Sequence, residues 1–328
     1  MNNPVLEVNN LKTWFYTRRG IVKAVNGISY DVGPGECICL VGESGCGKSV
    51  SALSILRLFD NPPGKIVEGT ISYGDTDLVT CPVDSLREIR GRDIAMVFQN
   101  AQSALNPVFT IGDQIEEQIK THFNIDRKDA VEKAKSLLAE MRIPDPGRAL
   151  RMFPHQMSGG MRQRAMIAMS LSCDPKILIA DEPTTAVDVT IRAQIMHILR
   201  ELKRTRNMSI IFITHDLSLV REIGDRVAVV YAGKVAEIAP VEDILGKPSH
   251  PYTVGLINCL PDISDEASRL PSIPGNTPSP IDLPKGCPFH PRCPEVMDIC
   301  RSVEPAPVTI STAHKAACHL FKDNAEVN

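Results

Sequence analysis

The chain has 328 residues, 43% of them apolar, enough to build the core of one large domain with a smaller appendage. Lys and Arg number 36 against 39 Asp and Glu, so the net charge of -3 lacks the basic excess that a nucleic-acid backbone rewards, and nucleic acid is not expected as a partner. No apolar run approaches the ~20 residues needed to span a bilayer. The opening MNNPVLEV lacks the charged start and apolar centre of a secretory signal, so the ten cysteines are expected as thiols or metal ligands in a reducing cytosol.

In chain order, residues 5–60 alternate short apolar runs with turns, and CICLVG at 37–42 reads as a buried strand ahead of a helix in SVSALSILRLF. From about 100 to 170 helical patterns dominate, including GDQIEEQIKTHF and RKDAVEKAKSLLAEM, with Pro144 and Pro146 as punctuation; this reads as an inserted helical subdomain. Strand and helix patterns then alternate through KILIA, RAQIMHILRELKR, SIIFIT, LSLVREIG and RVAVVYAG, the signature of a parallel sheet covered on both faces. After about residue 245 proline becomes frequent and four cysteines fall in the last 42 residues, so a loop-rich tail that needs a staple is expected. No internal repeat is visible.

GESGCGKS at 42–49 matches G-x-x-x-x-G-K-[ST] and lies between a predicted strand and a predicted helix, where that motif must lie. Gly42, Gly45 and Gly47 let successive backbone N–H groups turn toward phosphate oxygens. Lys48 can reach the terminal phosphate, and the Ser49 hydroxyl can face magnesium at a helix N-terminus. The strand KILIAD places Asp181 at its C-terminal end, where a carboxylate can hold magnesium through water. Glu182, one residue on, can orient and deprotonate the attacking water, which points to hydrolysis beyond binding. His215 in FITHD ends the next predicted strand and can approach the same terminal phosphate.

Together with MSGGMRQR at 157–164 and ILIADEPTTAVD at 177–188, these residues resemble an ATP-binding-cassette (ABC) ATPase over roughly residues 4–245. The resemblance implies an α/β fold, a P-loop ABC-type nucleotide-binding domain with a RecA-like core, an antiparallel β subdomain and the inserted helical subdomain. It implies ATP and Mg2+ as cofactors, with Ser44, Gly45 and Val50 joining the phosphate loop residues and Ser49, Gln99 and Asp181 serving magnesium. It also implies that Gln99 senses the metal and the attacking water. Ser158, Gly159 and Gly160 would close over the ATP of an opposing subunit, and Asp188 would cross the dimer interface. Met161 departs from the commonest family pattern, which has glutamine there. An aromatic residue upstream of the loop stacks on adenine in this family; of Trp14, Phe15 and Tyr16, Phe15 is preferred because it follows the predicted strand LEVNNLKTW, with Tyr16 in reserve. Without the resemblance the same cluster reads as core packing.

FQNAQSALNP at 98–107 and SHPYT at 249–253 narrow the resemblance to importer ATPases for dipeptides and oligopeptides, a group that includes nickel importers. The implied protein is a peripheral subunit on the cytoplasmic face of the cell membrane. It would pair with a second ABC ATPase, paralogue or self, beneath two transmembrane permease subunits, with an extracytoplasmic peptide-binding protein acting indirectly. Residues 1–245 would be the ATPase domain and 246–328 a C-terminal extension. In that extension Cys287, Cys293, Cys300 and Cys318 are separated by five, six and 17 residues, a spacing that leaves an iron–sulfur cluster, zinc and free thiols open. The resemblance favours a [4Fe-4S] cluster, with zinc as the lesser alternative. A DNA- or ribosome-directed cassette ATPase is disfavoured, since such proteins typically carry two cassettes or a long coiled-coil insertion. A non-hydrolytic redox module is disfavoured by the intact Asp181–Glu182 pair.

Overall fold

A computed structural model of the chain describes residues 3–100, 104–185, 187–259 and 272–321. The chain divides into two compact units: one holds the residues up to Thr80 together with those from Thr214 onward, the other Cys81–Ile213.

In the first unit, β1 (Leu6–Thr17) and β2 (Gly20–Val32) pair antiparallel through a tight turn at Arg18 and Arg19. Leu6, Val8, Leu11 and Thr13 of β1 point inward while Glu7, Asn9 and Asn10 do not, the alternation of a sheet with one buried face. β3 (Cys37–Val41) is buried at all five positions, as a strand covered on both faces must be, and leads through the phosphate loop into α1 (Lys48–Ile55). β4 (Gly64–Tyr73) and β5 (Thr76–Asp77) complete a four-stranded antiparallel sheet in the order β2-β1-β4-β5. Phe15 lies inside β1, opposite Val22 and Gly64; the first strand runs three residues beyond the predicted LEVNNLKTW because the register slips at Val8/Leu11 and Thr13/Phe15 let it bend without ending.

The second unit begins with α2 (Val83–Ile89) and β6 (Ile94–Val97). Helices α3 (Ile111–His122), α4 (Arg127–Glu140) and α5 (Pro146–Ala149) follow. α3 opens on a capping box in which Thr110 Oγ1 accepts from the Asp113 N–H and Asp113 Oδ2 accepts from the Thr110 N–H. α6 (Gly159–Ser170), β7 (Ile177–Asp181), α7 (Val189–Arg206) and β8 (Ser209–Thr214) complete it. β6, β7 and β8 form a parallel row in the registers Ile94↔Ile177 and Ile177↔Ser209, and every residue of the three strands is buried.

The chain re-enters the first unit through α8 (Leu217–Ile223), β9 (Arg226–Tyr231), β10 (Lys234–Pro240), α9 (Val241–Gly246) and α10 (Pro251–Asn258). β9 pairs parallel with β3 and antiparallel with β10. The tail is less loop-like than its proline content suggests. Beyond a 3-10 turn at Asp298–Arg301, β11 (Val308–Ser311) and β12 (His314–Ala316) form a hairpin, and β12 extends β10 at Glu237↔Ala316 and Ile238↔Lys315. No helix among the described residues is long and apolar enough to cross a membrane.

Candidate nucleotide-binding site

The phosphate loop is built on two glycines that nothing else can replace. Gly42 has φ 149° and Gly47 φ 104°, and a Cβ on either would lie 2.2 Å from a backbone carbonyl oxygen, that of Val230 or of Ala24. Ser44 and Gly45 are exposed at the loop tip, and Ser49 and Val50 are half-buried at the start of α1. The buried Lys48 ammonium donates to the carbonyls of Gly42 at 2.8 Å and Glu43 at 2.9 Å, which fixes a positive charge on the loop that presents its N–H groups. Its 3.5 Å contact with the Cys46 Sγ involves a thiol whose pKa burial pushes up.

In the second unit, Asp181 ends β7 as a buried carboxylate, and Glu182 follows it with a left-handed backbone, φ 46°. A non-glycine residue in that region is strained, and such strain gathers where a side chain must be aimed. Glu182 Oε2 accepts from Gln99 Nε2 at 3.1 Å and from Thr185 Oγ1 at 2.8 Å, and the Glu182 N–H donates to the Ile213 carbonyl at 3.0 Å. Gln99 is exposed just beyond β6, so the structure brings together the predicted sensing glutamine and the predicted base. His215 is exposed just after β8.

Ser158 and Asp188 are both helix N-caps. Ser158 Oγ accepts from the Met161 N–H at 3.3 Å, and Asp188 Oδ1 accepts from the Ile191 N–H at 2.8 Å. The open N-terminus of α6 thus carries a hydroxyl and the exposed Gly159, beside which an added Cβ would meet nothing within 4 Å; the same addition at Gly160 would strike Ile191 at 2.8 Å. Gln163, one turn into α6, donates to the Pro183 carbonyl at 2.7 Å and so anchors the residue after Glu182. Phe15 is half-buried and meets Phe59 edge-on at 5.9 Å, while Tyr16 is exposed.

Two contacts on the loop are not visible in any local motif. The Glu43 N–H donates to the hydroxyl of Tyr252 at 3.0 Å, and the Glu43 carboxylate takes both guanidinium nitrogens of Arg292, at 2.7 and 2.9 Å. Arg292, with help from the Thr277 hydroxyl, holds the Glu43 carboxyl below the usual carboxylate range against the opposing effect of burial. SHPYT, which on sequence is only a Pro-rich exit, is the element that delivers Tyr252. His250 caps α10 by accepting the Tyr252 N–H on Nδ1 at 3.0 Å, and the Tyr252 ring packs with Tyr231 and Phe289 at 4.6 and 5.3 Å.

Cys287, Cys293, Cys300 and Cys318 line one small cavity with His290 and His319, and the Cys287 N–H donates to the Cys300 carbonyl at 2.9 Å. All four are free thiols; burial, reinforced by the neighbouring sulfurs, pushes Cys287 up to about 11 and raises Cys293 and Cys318. Among the described residues no three His, Cys, Asp or Glu side chains are arranged to hold a metal ion, so the four sulfurs share a cavity but not the preformed coordination group that the [4Fe-4S] cluster favoured by the resemblance calls for. An all-sulfur donor set is chemically suited to a soft metal or cluster.

Residues 25–185 match the ABC transporter family, and residues 236–300 match the C-terminal region of oligopeptide/dipeptide transporters. The chain is 45% identical over 319 residues to the oligopeptide transport ATP-binding protein AppD of Bacillus subtilis, covering 97% of both chains. It is 47% identical over 322 residues to the dipeptide transport ATP-binding protein DppD of the same organism, covering 98% of this chain and 96% of that one. It belongs to the ABC transporter ATP-binding proteins. The fold of this ABC ATPase is similar to that of the ATP-binding cassette MJ0796 in a dimeric post-hydrolysis state bound to ADP and Pi, with a TM-score of 0.65 and 26% identity over 72% of this chain and 98% of that one. The oligopeptide/dipeptide region of this ABC ATPase begins inside β10 and spans Tyr252, Thr277 and Arg292, so the three side chains that reach Glu43 all belong to it.

Proposed function

We propose that this ABC ATPase hydrolyses ATP to drive import of dipeptides or oligopeptides, working as a pair with a second cassette beneath two permease subunits on the cytoplasmic face of the membrane. The observation that carries the reading is the joining of a phosphate loop to a C-terminal region of the oligopeptide/dipeptide type in one chain, seated on that loop through Tyr252 and Arg292.

In this reading Gly42, Ser44, Gly45, Gly47, Lys48, Ser49 and Val50 take the phosphates through backbone N–H groups and the Lys48 ammonium. Ser49, Gln99 and Asp181 would hold Mg2+, which would supply positive charge against the charge that develops in phosphoryl transfer. Glu182 accepts the proton of the attacking water, Gln99 orients it and His215 faces the terminal phosphate. Phe15 stacks on adenine. Ser158, Gly159, Gly160 and Asp188 serve the nucleotide of the facing subunit, for which the exposed N-terminus of α6 is suited. Phe98, Val108 and Phe109, exposed in the stretch after β6, supply apolar surface for the permease side of the assembly. Cys287, Cys293, Cys300 and Cys318 would hold a [4Fe-4S] cluster, with zinc as the lesser alternative, and the group would serve as a structural staple.

Reconstitution with a permease pair and a binding protein in proteoliposomes tests the reading. ATP-dependent uptake of labelled peptides is expected; uptake of nickel and not of peptide would move the protein to the small-solute branch, and ATP turnover indifferent to the permeases would remove it from transport. Anaerobic purification with iron and sulfide analysis decides the tail, where zinc without visible absorption would sink the cluster.

A further inference from the structure

Glu43 is the only carboxylate in the loop GESGCGKS. Its side chain is met by Arg292, 249 positions later and immediately before Cys293. The Arg292 side chain is only 5% exposed. It is itself fixed on three sides: Nε donates to the Pro274 carbonyl at 2.9 Å, Nη2 to the Ile273 carbonyl at 3.3 Å, and the guanidinium carbon lies 5.8 Å from the Tyr231 ring centre and 6.0 Å from that of Phe289. The fork therefore reaches Glu43 already oriented, which is what makes a two-pronged guanidinium–carboxylate pair geometrically exacting. Thr277 Oγ1 donates to the same carboxylate at 2.7 Å, and the Tyr252 hydroxyl accepts the Glu43 N–H. Three side chains of the C-terminal region thus hold one residue of the phosphate loop by both its backbone and its side chain.

We propose that Arg292 is a positioning residue for nucleotide binding, clamping Glu43 so that the phosphate loop is pre-set to receive a triphosphate. The inference rests on the nucleotide reading of that loop. Two physical effects act in the same direction. A loop held in its binding conformation loses less freedom when the ligand arrives. A cancelled carboxylate neither repels the phosphates nor competes for the Lys48 ammonium, which lies on the Glu43 carbonyl. Arg292 touches no reacting atom in this scheme; it acts through Glu43.

The test is Mg-ATP affinity of the full chain, by calorimetry, for the unsubstituted protein, Arg292→Ala, Arg292→Lys, Glu43→Gln and the double variant Arg292→Ala/Glu43→Gln. Loss of a charge-assisted, two-pronged pair is expected to weaken binding about five- to tenfold in Arg292→Ala, with Arg292→Lys between it and the unsubstituted chain. The deficit should shrink as ionic strength rises, which a purely structural loss would not do. Adding Glu43→Gln to Arg292→Ala should restore part of the affinity, since the uncancelled charge is gone. Binding unchanged in Arg292→Ala, or single effects that multiply in the double variant, would overturn the proposal. If Arg292→Ala does not fold, Arg292→Lys and Glu43→Gln carry the comparison. An unsubstituted chain that binds no Mg-ATP would instead defeat the nucleotide reading itself.

Discussion

The side-chain amide of Gln99 donates to Oε2 of Glu182 at 3.1 Å, linking the residues that follow β6 and β7 in adjacent parallel strands. A neutral amide at position 182 can keep the acceptor oxygen for Gln99 and Thr185 but cannot take a proton from water. Glu182→Gln is therefore expected to leave Mg-ATP binding intact and to lower ATP turnover by roughly 100-fold or more, the usual share of a general base. Turnover measured beside nucleotide binding checks it; a variant with normal turnover would remove Glu182 from the catalytic role.

The loop glycines are not equivalent. Gly47→Ala places a Cβ 2.2 Å from the Ala24 carbonyl oxygen at a φ of 104°, whereas Gly45→Ala, at φ 79°, meets nothing within 4 Å. The second substitution should cost about 1 kcal/mol of left-handed strain, and the first clearly more. Thermal melts of the two variants should separate in that order, with nucleotide binding lost in Gly47→Ala.

Gln163 is buried and reaches across to the Pro183 carbonyl at 2.7 Å. Gln163→Leu leaves that acceptor without its donor, a loss of about 1–3 kcal/mol in urea unfolding. Because Pro183 follows the strained Glu182, turnover should fall further than the lost stability alone would bring about.

Burial holds His250 neutral, with its pKa lowered from 6.5 to about 4 despite the nearby Glu237 carboxylate, which acts to raise it. The lowered value means that the unfolded chain takes up the proton first as pH falls. The penalty is absent above pH 6.5, grows between 6.5 and 4, and reaches roughly 3 kcal/mol below that window. Protonation also takes the Nδ1 lone pair that accepts the Tyr252 N–H. His250→Asn keeps an acceptor without the titration, so its stability should vary less between pH 4 and 6.5 than that of the unsubstituted chain, as read by denaturant unfolding across that range.

What sequence could reveal follows from the range over which each signal acts. The phosphate loop is contiguous, and its glycine spacing encodes its turn directly, so Gly42, Gly47 and Lys48 are found where the motif requires. Ser158 announces itself in the same way, as a small polar residue before a helix. Arg292 has no such signal: its role depends on a partner 249 residues away and on the tail's path, which periodicity does not encode. β11 and β12 are four and three residues long and sit in a Pro-rich stretch, too short for alternation to show against that background. On sequence Phe15 follows the first strand, because a bulged strand interrupts its own period-two pattern; the pairing of Phe15 with Val22 shows the strand continuing through it.

The pairing of β12 with β10 also bears on solubility. A sheet that ended at β10 would offer the backbone groups of Glu237 and Ile238 as an open edge, next to Val235 and Ala236, ready to recruit a strand from another molecule. The hairpin occupies that edge and ends in a short strand bearing Thr309 and Ser311. Trimming the chain back to its cassette would therefore expose a template for self-association in addition to removing a tail.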